Sequence, residues 1–200
     1  MKNIAILDID GCLADYRLGL LWWINTNYLE LRETCYEHLT KTGTWINNET
    51  MKIPFIEWLG ILENFRMSGG KLSIPTFPGT RELFDLLLSR NMKIILVTSR
   101  PIDLCSNIYH DTVEWLRMNR LEYHMLLWSK NKSEMIYKMR LIDECDFVLD
   151  DELGHIKGYL DLGIKTYWIN HYHKIHSLTS EHLYEVYSLK QVIEAERSLK

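Results

Sequence analysis

Short apolar runs alternate with longer stretches of helical periodicity along this sequence, and this alternation constrains the fold more than any other feature. Short runs rich in Ile, Leu and Val are typical of buried strands, and repeated strand–helix units form parallel sheets. Helical spacing of apolar residues follows Pro78-Gly79-Thr80 and recurs in residues 104–119. The predicted strands are residues 3–9, 92–98, 123–128, 145–150 and 164–169. The sequence therefore predicts an α/β protein with a Rossmann-like parallel sheet and helices on both faces.

The stretch from Tyr16 to Pro75 interrupts this rhythm, because it lies between the first two strands and is too long for a single crossover helix. It holds two segments of helical character, 17–39 and 54–67. We expect a small helical cap at 16–75, inserted into a core made of residues 1–15 and 76–200. The alternating charged and apolar residues of 177–200 predict one or two further helices packed on the sheet.

Composition narrows the function classes. The chain has 200 residues, 46% of them hydrophobic, and a formal net charge of −4, so we expect a globular protein without strong general binding of nucleic acids. The apolar run Leu20 to Ile24 is too short to cross a bilayer, which predicts no membrane partner. Four cysteines without a C-x-x-C pair favour a reducing compartment. Asp8 and Asp10 interrupt any amino-terminal signal peptide, and we therefore expect a cytoplasmic protein.

Two carboxylates stand at the end of the first predicted strand. Asp8 and Asp10 are two positions apart, so they project to the same side of the chain, and Gly11 then allows a turn. In an open parallel sheet, ligands bind at the carboxyl ends of the strands. A hairpin is the structural alternative, since Asp-Gly also favours a type I′ turn.

Two other predicted strands also end in polar side chains. Thr98 and Ser99 follow the second strand, and Asp150-Asp151 closes the strand at 145–150. Lys132, at the start of a predicted helix, is a candidate cation for a phosphate, with Lys130 and Lys138 as alternatives. Each feature also has an ordinary structural explanation, as a helix cap, an acidic loop or a surface lysine. Their coincidence at neighbouring strand ends favours a functional site.

These residues resemble the four motifs of the haloacid dehalogenase (HAD) superfamily of phosphohydrolases over nearly the whole chain. Asp8-Ile9-Asp10-Gly11 is similar to the first motif, Thr98 to the second, Lys132 to the third and Asp150-Asp151 to the fourth. The extended pattern through Ala14-Asp15 resembles the 5′(3′)-deoxyribonucleotidase branch, which carries a helical cap after the first strand. The segment Val97 to Arg100 also resembles phosphatase domains that act on polynucleotide ends.

The resemblance implies a mechanism through an aspartyl-phosphate. Asp8 would be the nucleophile, and Asp10 would be the general acid and then the general base. Thr98, Ser99 and Lys132 would bind the phosphoryl oxygens. Mg²⁺ would be held by the carboxylates of Asp8 and Asp150 and by the backbone carbonyl of Asp10. Asp151 would orient Lys132. Arg100 is left open between clamping phosphate and a surface salt bridge.

Three functions follow from these observations. The first is a Mg²⁺-dependent phosphatase for a small phosphorylated substrate, with (deoxy)nucleoside monophosphates expected from the resemblance. The second is a phosphatase for 3′ ends of polynucleotides, and the third is a non-catalytic phosphate-binding protein. The net charge of −4 and the inserted cap favour the first. A homodimer is compatible with the sequence.

Overall fold

The core of the protein is a six-stranded sheet in which every neighbouring pair of strands is parallel. The computed structural model describes residues 2–40, 45–171 and 176–198. The strand order is β3-β2-β1-β4-β5-β6. The strands are β1 (Ile4–Leu7), β2 (Lys93–Thr98), β3 (Met125–Trp128), β4 (Cys145–Asp150), β5 (Thr166–Ile169) and β6 (Leu183–Val186). The predicted α/β fold with a parallel sheet is confirmed, and β1 lies at its centre between β2 and β4.

Helices occupy the connections. They are α1 (Tyr16–Asn27), α2 (Arg32–Thr40), α3 (Phe55–Met67), α4 (Thr80–Ser89), α5 (Ile108–Met118), α6 (Lys132–Lys138), α7 (Leu153–Asp161) and α8 (Leu189–Ser198). Short 3-10 turns lie at Leu29–Leu31, Gly70–Ser73 and Ile142–Glu144.

The apolar strands are buried on both faces. Ile6 of β1 and Val97 of β2 belong to a cluster with Ile136 of α6 and Ile156 of α7. Side chains alternate along a strand, so Leu7 points to the opposite face, where α4 and α8 pack on each other and contact β2 and β6. Continuous apolar runs such as residues 4–7 are the sequence signature of this two-sided burial.

Residues 183–186 correct one prediction. The sequence predicts one or two helices in the tail; α8 is one of them, but Leu183–Val186 before it forms the edge strand β6. β6 joins the sheet through backbone hydrogen bonds, such as Asn170 N to Val186 O at 2.7 Å. Tyr184 and Glu185 are exposed at this edge. A segment of four residues, two of them exposed and with a polar group at the end of the side chain, is too short for its periodicity to distinguish a strand from a turn of helix.

The chain divides into two compact units. The core unit comprises Met1–Ala14, Thr76–Arg100 and Asn119–Lys200, and the helical unit comprises Asp15–Pro75 and Pro101–Met118. We had expected the helix near 104–119 to belong to the core, but α5 groups with the helical unit. The indole N–H of Trp115 donates to Ile74 O at 2.7 Å, and the Asn107 amide donates to Arg66 O at 2.6 Å. The role of 16–75 as a cap stays a prediction.

Aromatic contacts and a capped helix organise the helical unit. Trp23 and Tyr16 each pack on Phe65, with ring centroids 5.5 and 5.8 Å apart. Asp15 caps α1, because its carboxylate accepts the Leu18 N–H at 3.0 Å. None of the helices within the described ranges is long and apolar enough to cross a membrane. The cytoplasmic location stays a prediction.

Candidate active site

The loop after β1 closes tightly on itself. Asp8 N–H continues the ladder by donating to Leu149 O at 2.9 Å, and Ile9 O then accepts the N–H groups of Leu13 and Ala14 at 2.9 and 2.8 Å. Gly11 has a φ of 86°, a region that L side chains rarely adopt. A Cβ at this position would overlap the Asp151 carboxylate. Glycine therefore allows both the turn and the close approach of Asp151. The hairpin alternative is wrong, since both neighbours of β1 are parallel strands.

Lys132 lies between two of the predicted carboxylates. Its Nζ is 2.8 Å from Asp8 Oδ1 and 2.9 Å from Asp150 Oδ2, and its side chain is 1% exposed. Lys130 is exposed, and Lys138 pairs with a glutamate on the surface of α6. Of the three lysines that the sequence offered, Lys132 is the one that contacts the strand-end carboxylates.

Asp150 is fully buried, and its oxygens accept three hydrogen bonds. Oδ2 accepts from Lys132 Nζ and from the Tyr159 hydroxyl, both at 2.9 Å, and Oδ1 accepts the Glu152 N–H at 3.0 Å. The sequence assigned Asp150 to the metal and Asp151 to the orientation of the lysine. In the structure Asp150 is paired with Lys132 Nζ, and Asp151 lies beside Asp8 and Cys12. Which of the two aspartates holds the metal stays a prediction.

Asp8, Asp151 and Cys12 form a compact group of metal-ligating side chains. One ligand atom from each lies within 4.8 Å of those of the other two. Trp168 fixes the backbone here, since its indole N–H donates to Asp151 O at 3.1 Å. Sequence reasoning missed Cys12, which lacks a second cysteine or histidine at metal-ligand spacing. Its position four residues after Asp8, beyond a glycine turn, was the available signal.

The electrostatics of this group call for a cation. Burial raises the pKa of Asp8 to about 7, with the Lys132 charge opposing this rise and the Asp150 charge adding to it. Burial disfavours the charge of Lys132, but Asp8 and Asp150 outweigh it and hold its pKa above the ordinary value. Burial, followed by the Asp151 and Asp8 charges, raises the pKa of the Cys12 thiol. One lysine cannot neutralise three carboxylates, and a divalent cation with oxygen ligands fits the Asp8–Asp151 pair.

Arg100, whose side chain is buried, makes a bidentate ion pair with the partly exposed Asp10. Its Nε donates to Oδ2 at 3.0 Å and its Nη2 donates to Oδ1 at 2.7 Å, and none of the Arg100 side chain is exposed. A fork-to-fork pair fixes the position of the carboxylate as well as its charge. Of the two roles that the sequence left open, the structure shows a salt bridge, but the Arg100 side chain is buried rather than at the surface, and the pair joins two of the strand-end loops.

Thr98 and Ser99 complete the carboxyl edge between β2 and β1. Thr98 is buried, and its Oγ1 accepts the Arg100 N–H at 3.3 Å, whereas Ser99 is exposed. Thr98 caps none of the helices in the described ranges, because α5 begins only at Ile108. Adjacent strands β2, β1 and β4 therefore deliver Thr98, Asp8 and Asp150 to one edge of the sheet.

Of the three histidines at residues 171–176, just after β5, the two within the described residues make contacts outside this site. His171 stacks on Phe77 with ring centroids 3.9 Å apart, and His176 Nε2 lies 3.3 Å from Glu185 Oε2. His173 lies outside the described residues.

Comparison with known proteins places the fold in a class. No protein-family model and no curated protein matches the sequence. Among solved structures, a predicted phosphatase from Clostridium acetobutylicum matches with a TM-score of 0.64 at 16% identity, over 100% of both chains. YfnB, a HAD-hydrolase from Bacillus subtilis solved with bound magnesium, matches with a TM-score of 0.62 at 14% identity, over 98% of this chain and 99% of its own. A haloacid dehalogenase-like hydrolase from Streptococcus pneumoniae matches with a TM-score of 0.58 at 14% identity, over 98% of each chain. The chain has the fold of the haloacid dehalogenase-like hydrolases.

Proposed function

We propose that this protein is a Mg²⁺-dependent phosphomonoesterase that works through a phosphoryl group on Asp8. The observation that carries the proposal is the arrangement of Asp8 at the centre of the sheet edge. Lys132 anchors one of its carboxylate oxygens, and Asp10 follows two residues later with its own guanidinium partner. Phosphoryl transfer requires a positioned oxygen nucleophile and positive charge around the transferred group.

In the first half-reaction, an Asp8 oxygen attacks phosphorus and the bond from phosphorus to the leaving alkoxide breaks. Asp10 donates a proton to that alkoxide. The Lys132 ammonium offsets negative charge that develops on the phosphoryl oxygens. Thr98 supplies a hydroxyl and Ser99 an exposed hydroxyl with its backbone N–H, and both are candidate donors to the same oxygens.

In the second half-reaction, Asp10 takes a proton from water, the water oxygen attacks phosphorus, and the bond between Asp8 and phosphorus breaks. The ion pair with Arg100 suits this step, because it holds the Asp10 carboxylate in one orientation. We assign Arg100 as the positioning residue for Asp10. Asp150 does not touch the substrate in this scheme but accepts a hydrogen bond from Lys132, and the Tyr159 hydroxyl donates to the same oxygen of Asp150.

Asp8, Asp151 and the backbone carbonyl of Asp10 are the residues that would hold Mg²⁺. Asp151 replaces Asp150 in this set, since Asp150 already accepts three hydrogen bonds. When bound, the cation would neutralise charge between the two carboxylates and the incoming phosphate dianion.

We propose (deoxy)nucleoside monophosphates as the substrates. The D-x-D-G-x-x-A-D pattern at residues 8–15 supports this choice.

The test is phosphate release from nucleoside 5′- and 3′-monophosphates and from a 3′-phosphorylated oligonucleotide, with and without Mg²⁺. We expect Mg²⁺-dependent release from the monophosphates. Asp8→Asn should lower it roughly a thousandfold or more, about 4 kcal/mol of barrier. Asp143→Asn, at an exposed aspartate, is the matched control. Release from the oligonucleotide alone would show that the substrates are polynucleotide ends rather than nucleoside monophosphates. Release from none of these substrates by a folded protein would contradict the proposal.

A further inference from the structure

The Cys12 thiol is an unusual neighbour for a pair of metal-binding carboxylates. It is completely buried, and within the part of the chain that the structure describes no group forms a hydrogen bond with it. Its sulfur is nonetheless within 4.8 Å of carboxylate oxygens of Asp8 and Asp151. A packing role alone does not require the sulfur to face two acidic groups.

Mg²⁺ does not coordinate a thiol sulfur readily, because it prefers oxygen ligands and octahedral coordination. Zn²⁺ and Cd²⁺ accept mixed sulfur and oxygen ligands, and a thiolate selects strongly for them over Mg²⁺. The group formed by Asp8, Cys12 and Asp151 therefore offers oxygen ligands to Mg²⁺ and mixed sulfur and oxygen ligands to Zn²⁺ or Cd²⁺ at nearly the same place.

We infer that the pocket of Asp8, Cys12 and Asp151 binds a thiophilic divalent cation, such as Zn²⁺, through the Cys12 sulfur, and that this binding excludes Mg²⁺. On binding, the S–H bond breaks, the proton leaves to solvent, and a bond from sulfur to the cation forms. The same residues would thus make the protein sensitive to inhibition by zinc. The inference rests on the metal site of the proposed function.

Cadmium titration of the metal-stripped full-length protein tests the inference without turnover. A cadmium–thiolate bond gives a charge-transfer absorption in the ultraviolet, so Cd²⁺ reports directly on sulfur coordination. We expect one saturable band per chain that is lost in Cys12→Ser and weakened in Asp151→Asn. Cys105→Ser, which removes another buried thiol in the helical unit, should leave the band unchanged.

A wild-type protein that shows no band, or a band that persists undiminished in Cys12→Ser, would overturn the inference. Thermal unfolding of each variant shows whether it is folded, and Asp151→Asn gives an independent test should Cys12→Ser not fold. Because no substrate is present, the band does not depend on the phosphatase activity. If the phosphatase is active, Zn²⁺ should also inhibit the wild type at lower concentrations than it inhibits Cys12→Ser.

Discussion

The two units of this protein use their buried polar groups differently. In the core unit, buried charges pair with other charges, as Lys132 does with Asp8 and Asp150 and as Arg100 does with Asp10. In the helical unit, three buried or partly buried side chains donate to backbone carbonyls instead. Arg17 donates to His38 O, Trp115 to Ile74 O and Asn107 to Arg66 O.

This difference predicts which buried polar groups affect activity and which affect only stability. A buried ion pair costs desolvation free energy when it forms. If a ligand binds one partner, the charge of the other exerts a strong field at short range because the surroundings have a low dielectric constant. A hydrogen bond to a carbonyl joins two segments without such a field. Substitutions at the core pairs should therefore change activity, whereas substitutions at the carbonyl-directed donors should change stability alone.

After the nucleophile Asp8, the largest effect is expected at Asp10. Asp10→Asn keeps the shape but removes the proton-transfer group, so kcat for a nucleoside monophosphate should fall by roughly 10²- to 10⁴-fold. With p-nitrophenyl phosphate, whose leaving group needs no proton, the first half-reaction should be spared. Steady-state and burst kinetics with both substrates measure this. Equal losses in the burst phase for the two substrates would show that Asp10 does not act as the acid.

Lys132→Met should cost both activity and stability. It leaves Asp8 and Asp150 buried without their cation, which we expect to lower the free energy of unfolding by about 3–5 kcal/mol at pH 8. Urea unfolding measures the change. Lys138→Met, which breaks an exposed pair with Glu134 on the same helix, should cost no more than about 0.5 kcal/mol. Similar costs for the two variants would remove the distinction between the buried and exposed lysines.

A pH-dependent effect is expected at His171, which lies in the core unit but outside the charge pairs. Burial lowers its pKa from 6.5 to about 4, and a hydrogen bond with the Tyr187 backbone opposes this shift. As pH falls from 6.5 towards 4, the unfolded chain gains the proton before the folded one, so the free energy of unfolding decreases, by roughly 3 kcal/mol at most.

His171→Phe should remove that decrease while it keeps an aromatic ring against Phe77. Unfolding by urea across pH 4 to 7 gives the slope for each protein. His110→Gln, at a side chain that is 78% exposed, is the control and should preserve the wild-type slope. An unchanged slope in His171→Phe would contradict the assignment.

The smallest expected effect comes from the helical unit. Trp115→Phe removes the donor to Ile74 O, and the buried carbonyl then lacks a partner, at a cost of about 1–3 kcal/mol in stability. Phosphate release per folded molecule should stay within about twofold of the wild type, since the change leaves the charge pairs intact. A fall in kcat similar to that of Asp10→Asn would mean that the helical unit contributes to the chemistry as well.

Much of the core unit could be predicted because its strands are short, apolar and followed by polar residues. The runs that end at Leu7, Thr98 and Asp150 identified the sheet and the edge where the polar groups lie. β6 was missed because four residues at an exposed edge carry too little periodicity. The grouping of α5 was also missed, since the carbonyl partners of Trp115 and Asn107 lie about forty residues away in the chain.

Within the site, the residue types could be predicted but not their directions. Asp150 and Asp151 are adjacent in the sequence, and only the structure shows that Asp150 pairs with Lys132 while Asp151 lies beside Asp8 and Cys12. Arg100 illustrates the same limit, because its partner Asp10 is 90 residues away in the sequence. Cys12 matched no metal-binding motif, and only the structure gives its distance to two carboxylates.

The central claim is that Asp8 carries the phosphoryl group during turnover. The most direct measurement is peptide mass spectrometry of Asp10→Asn after acid quenching of its reaction with p-nitrophenyl phosphate and Mg²⁺. Loss of the base should slow hydrolysis of the intermediate, so we predict a phosphoryl adduct on Asp8 that is absent from the double variant Asp8→Asn/Asp10→Asn. An adduct on another residue, or p-nitrophenol release with no adduct at any time, would contradict the account.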